Sequence, residues 1–200
     1  MRFWKKPFSI LSNVLAAIAV AGCARDANHA EMILSSARLE QRGTGSWLAA
    51  EGDWRPSAEM LEALDHGISL TLRLQLDAQQ RGWFGAYAGI ASIERHRELR
   101  YFPLTRRYQV RDVEQGAMQS FGVRAAAIAA LGHLEIPVDA AMRCGPAAEG
   151  TVQDAQSLRY RLRIDFDRAG LPGALRLPAL VLSAWHQDRA EWIWSCPASA

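Results

Sequence analysis

The chain has 200 residues, with 23 Lys+Arg against 21 Asp+Glu, a formal net charge of +2 and a hydrophobic share of 50%. Arg2, Lys5 and Lys6 lie in residues 1–22, which hold no acidic group, so the remainder carries 20 basic residues against 21 acidic ones. The basicity therefore belongs to the N-terminus, which excludes a nucleic-acid footprint spread over a folded surface.

Residues 1–22 read as a signal peptide. A positive stretch, MRFWKKP, precedes a mostly apolar run over 8–22, too short for a spanning helix. The run ends in Val20-Ala21-Gly22-Cys23, which resembles the bacterial lipobox. That resemblance implies that Cys23 becomes the first mature residue and carries a diacylglyceryl group. Ala24 in place of Asp implies sorting to the outer membrane, lipid-anchored on its periplasmic side. Residues 23–31 are expected to form a tether, and nothing in 24–200 could span a membrane as an apolar run. Residues 32–200 are expected to form a single globular domain around one core.

Along that domain, 32–40 is a weak strand. Pro56 and Ser57 signal a helix over 56–67, with Met60, Leu61 and Leu64 on one side and Gly67 as its stop. "ISLTLRLQLD" (68–77) alternates strictly, Leu70, Leu72, Leu74 and Leu76 facing one way and Arg73, Gln75 and Asp77 the other. That is a strand with one buried and one wet face. Strands follow over 89–101 and 104–111. The inward phase switches at Pro103, predicting a bulge or bend there, with a hairpin turn at 102–104 as the alternative. Residues 116–133 carry Met118, Phe121, Ala125 and Ile128 at helical spacing. Residues 140–157 read as a long loop. "LRYRLRIDFD" (158–167) alternates again, with Leu158, Tyr160, Leu162, Ile164 and Phe166 inward and Arg159, Arg161 and Arg163 outward. Weaker strands are expected over 179–186 and 191–195. The fold class is α+β, a predominantly antiparallel sheet with two short helices packed on it.

These segments occur in a familiar order. Leu99, Tyr101, Leu104, Thr105 and Tyr108 are followed by the Arg-rich strand, then Leu171, Pro172 and Leu175, then Trp185, Trp192 and Trp194. Over roughly 32–197 the chain resembles proteobacterial envelope proteins described only as domain of unknown function 4390. The resemblance implies neither an activity nor catalytic residues.

Direct inspection finds no nucleophile elbow, zinc-protease helix, phosphate loop or dinucleotide fingerprint. "RGTGS" (42–46) lacks the Lys-Ser/Thr of a phosphate loop and reads as a turn. His186 and Asp188 offer two metal ligands and no visible third. Glu94, Arg95, His96, Arg97 and Glu98 read as a solvated, self-neutralising face. No catalytic residue, metal or cofactor is assigned. Cys144 and Cys196 are the thiols left beside Cys23, and in an oxidising compartment they are candidates for a disulfide.

Candidate partner-binding residues are Arg159, Arg161 and Arg163, joined by Trp185, Trp192 and Trp194; Trp83, Phe84 and Tyr87 are further aromatics. Two readings are open for each group. The arginines either pair across strands with carboxylates such as Asp165, Asp167, Glu94 and Glu98, or form a guanidinium patch for an anionic envelope component. The aromatics either fill a core or line a cleft. The expectation is a non-enzymatic envelope lipoprotein that binds a protein or an anionic envelope component, with its lipid in the membrane and no nucleic-acid partner. An envelope-polymer hydrolase or transferase and a carrier of small apolar ligands are the alternatives.

Overall fold

The computed structural model describes residues 29–139, 142 and 158–195. The expected signal peptide, the expected lipidation position Cys23 and the cysteines Cys144 and Cys196 lie outside them. Every strand pairs antiparallel. β1 (Glu31–Arg42), β2 (Gly45–Arg55) and β7 (His133–Val138) make a three-stranded sheet in the order β1-β2-β7. β3 (Leu70–Arg81), β4 (Tyr87–Phe102), β5 (Arg107–Asp112), β6 (Met118–Phe121), β8 (Leu158–Phe166) and β9 (Ala190–Ser195) make a six-stranded one, in the order β6-β5-β4-β3-β8-β9.

The strict alternation of β3 and β8 has the structural result that the sequence predicts. Leu70, Leu72, Leu74 and Leu76 are buried, as are Tyr160, Leu162, Ile164 and Phe166 on the neighbouring strand. Each such side chain is stabilised by about 1.5–3 kcal/mol on leaving water. They join Leu48, Ala50 and Trp54 of β2 and Leu134, Ile136 and Val138 of β7 in one hydrophobic cluster, so the two sheets share a core.

α1 (Ala58–Asp65) forms where predicted. The Ser57 hydroxyl accepts from the Met60 amide at 3.2 Å, and Met60, Ala63 and Leu64 are buried. The helix expected over 116–133 is a correction. Its first part, Met118–Phe121, is strand β6, paired with β5, and α2 runs only over Arg124–Gly132. Gly122 separates the two, and the edge of β5 supplies hydrogen-bond partners that helical spacing does not reveal. The strand expected over 179–186 is also absent. α3 (Gly173–Val181) and a 3₁₀ turn (Ser183–Trp185) occupy that stretch, so among the described residues there are three α-helices rather than the two expected. At Pro103 the hairpin alternative is what forms: Phe102 pairs with Arg107 around a turn over 103–106, where Arg106 has φ +52°.

One contact fixes α2 on β2. A Cβ added to Gly132 would lie 1.9 Å from the Gly52 carbonyl oxygen, so the helix end rests backbone to backbone on the strand.

Candidate functional site

The outer face of the six-stranded sheet carries the predicted arginine row. It is laced to its neighbours. Arg163 pairs with Asp77 on β3, which also accepts from Ser92 at 2.8 Å and Gln75 at 3.1 Å. Burial raises the Asp77 pKa, but the hydrogen bonds from Ser92 and Arg163 outweigh it and hold the carboxyl below its ordinary value. Arg161 Nε lies 2.9 Å from a Glu191 carboxylate oxygen, an ion pair rather than a well-directed hydrogen bond. Arg159 donates to Gln79 at 2.7 and 3.1 Å and lies 3.7 Å from the centre of the Tyr87 ring. Arg73 forks onto Asp165 at 3.1 and 3.2 Å. The face is thus a cross-strand charge lattice, although the partners of Arg159, Arg161 and Arg163 are Gln79, Glu191 and Asp77 rather than the carboxylates expected.

The 94–98 segment divides between two faces. Glu94 and His96 lie on the wet side, where His96 Nδ1 is 2.8 Å from Glu114 and 3.4 Å separates its Nε2 from Glu94. The register places Arg95 and Arg97 on the side of Ile93 and Leu99, which corrects the reading of all five as one solvated face. Arg97 donates to the His133 carbonyl at 2.5 Å, and burial lowers its pKa. Asp112 is its cross-strand neighbour.

The aromatic residues separate sharply by environment. Trp185 is buried, its ring 6.1 Å from that of Phe166. Trp194 stacks on Tyr160 at 5.4 Å, and Trp192 is half-buried against the same core. Burial of Tyr160 pushes its phenol up to about 12. Trp83 and Phe84 are the opposite, 96% and 95% exposed. They cap the β3–β4 hairpin, where Gly82 and Ala86 are bonded at 2.7 Å and Gly85 takes φ +80°. Tyr87 and Ile90 extend the exposed apolar surface along β4. The tip was legible in the pair Trp83-Phe84 between Gly82 and Gly85, a turn composition in which large apolar rings have no core to enter.

At the opposite end of β3 lies an open cleft of about 450 Å³, lined by Arg73, Asp165, Arg168, Trp185, His186 and Arg189 among others. Asp165 is already shared by Arg73 and Arg189, the latter at 3.8 Å. Asp167 is engaged with the Ala169 amide at 2.9 Å. No group of three or more His, Cys, Asp or Glu among the described residues could hold a metal ion, and the pair His186 and Asp188 gains no third ligand there. Among the described residues no helix is long and apolar enough to cross a membrane.

The family described as a domain of unknown function (DUF4390) matches residues 29–194, from the entry into β1 to Trp194 in β9. No curated protein and no solved structure matches the chain.

Proposed function

Because the chain belongs to the DUF4390 family, whose description carries no activity, we propose a function from the residues themselves: it is a lipid-anchored envelope protein whose folded part binds a protein partner through the tip of the β3–β4 hairpin. The observation that carries this reading is the exposure of Trp83 and Phe84. Two large rings held in water by a paired ladder and a glycine turn are costly to a free domain and favourable once a partner covers them. The arginine row is a weaker candidate for an anionic ligand, since Arg159, Arg161 and Arg163 already have partners. Lipobox-like residues 20–23 support the anchor, and anchoring raises the effective concentration of the tip toward other envelope proteins.

The test is site-specific photo-crosslinking in intact cells, with the crosslinker at position 83 and, as a control, at position 161. A discrete protein adduct from 83, absent from 161 and lost when Phe84→Ser is added, is the expected result. Adducts of equal yield from both positions, or none from 83, would overturn the hairpin as the contact.

A further inference from the structure

We infer that α3 is a second membrane-contact element, an apolar helix laid against the lipid surface beside the anchor; this rests on the anchored reading above. The helix exposes Leu177 (75%), Leu180, Val181 (81%) and, just past its end, Leu182. Only Ala179 within it is buried. Its sole charged residue, Arg176, folds back to donate to the Leu171 carbonyl at 2.9 Å. A helix whose outward side is leucine and valine suits the boundary between head groups and acyl chains and not water.

Its position names the occupant. The Ala30 amide donates to the His186 carbonyl at 3.0 Å, and the His186 ring Nε2 lies 3.3 Å from the Leu180 carbonyl. The start of the described chain and the exposed helix therefore meet at a single residue. From Cys23 to Ala30 there are seven residue steps, which span at most about 25 Å when fully extended. A lipid on Cys23 therefore keeps Ala30 within that distance of the bilayer, and the end of α3 is joined to Ala30 through His186. Arg168 lines the cleft beside His186 at the same end and offers its guanidinium group to lipid phosphates. The hairpin tip lies at the far end of β3, about 33 Å away along the ten residue steps from Thr71 to Arg81. One end would rest on lipid while the other faces outward.

The experiment uses the full-length protein, processed in cells and reconstituted in phosphatidylethanolamine–phosphatidylglycerol vesicles that carry a phospholipid with a carbene-generating acyl chain. Mass spectrometry reads both the acyl mass on Cys23 and the photoadducts. Adducts in peptide 173–182, none in 82–86, and a several-fold loss of the former in Leu177→Asp/Val181→Asp with the acyl mass intact are the expected results. An acylated protein with no adduct in 173–182 overturns the contact and leaves the anchor standing; so does a protein crosslink from position 177 to a second copy. Absence of the acyl mass together with absence of any photoadduct removes the anchored reading and this one with it.

Discussion

At the scale of residues, Asp77 is the joint of the outer charge lattice. Its carboxylate receives Arg163, Ser92 and Gln75, and these hold its pKa below the ordinary 3.8. A depressed carboxyl contributes stability that is fully present above the unfolded value and is lost as pH falls through the folded one. Denaturant melts of the wild type should therefore be flat in this respect above about pH 5 and weaken below pH 3.8. Asp77→Asn should cost about 1 kcal/mol at pH 7 and show a shallower acid limb; an unchanged acid limb would remove Asp77 as its source. Gly132 makes a contrasting demand, of space rather than charge. With the Gly52 oxygen 1.9 Å from any added Cβ, Gly132→Ala should destabilise by about 3 kcal/mol through overpacking. The same substitution at Gly89, which faces open space, serves as the control in thermal melts.

Among the elements, the β4–β5 hairpin carries an identifiable strain. Arg106 sits at φ +52° in the turn that follows Pro103. An L-residue there pays roughly 1 kcal/mol that glycine does not, so Arg106→Gly should raise the melting temperature slightly, offset in part by glycine's greater unfolded-state freedom. A fall in melting temperature would mean that Arg106 makes a stabilising contact outweighing its backbone strain. The elements also differ in how well they can be read. β3 over 70–77 and β8 along its whole length alternate large apolar side chains with polar or charged ones, and period two identifies them without any partner. β2 alternates too, but its inward positions are Ser46, Leu48, Ala50, Gly52 and Trp54, and small residues hide the pattern. β7 has Leu134, Ile136 and Val138 inward, yet it contains Pro137, tolerated because β7 is an edge strand. Residues 179–186 read as a strand because a short apolar run has no period that separates strand from helix; the stretch instead holds the end of α3, which Pro172 starts, and a 3₁₀ turn.

For the whole molecule, the address and the covalent frame can be checked directly. Metabolic labelling with a fatty-acid probe should mark the wild type and miss Cys23→Ser; equal labelling of both would refute the anchor. Cys144 and Cys196 are expected to form a disulfide. Met142 and Trp194, each two positions before one of these cysteines, both contact Tyr160: its hydroxyl donates to the Met142 carbonyl at 3.2 Å and its ring stacks on Trp194. A bridge over that span is worth about 4 kcal/mol on the chain-entropy model. Thiol titration of the unfolded, unreduced mature protein should find neither thiol free, and two titrating thiols would end the idea.

The sequence alone determined what depends on local order. Charge, apolar run and small residues before Cys23 are the local grounds for the address proposed above, a pattern of the kind that a processing enzyme reads in an extended segment. The alternation of β3 and β8 specifies wet and dry faces because side chains leave a strand on opposite sides. The order of the later motifs was enough to place the chain with its family. Tertiary structure decided what depends on distant partners. It assigned Arg163 to Asp77 and Arg161 to Glu191, turned Arg95 and Arg97 toward the core side, and buried Trp185 while leaving Trp83 in water. Those outcomes follow from strand register and sheet order, which bring together residues as far apart as Asp77 and Arg163, and such long-range pairing has no signature in either residue's neighbours.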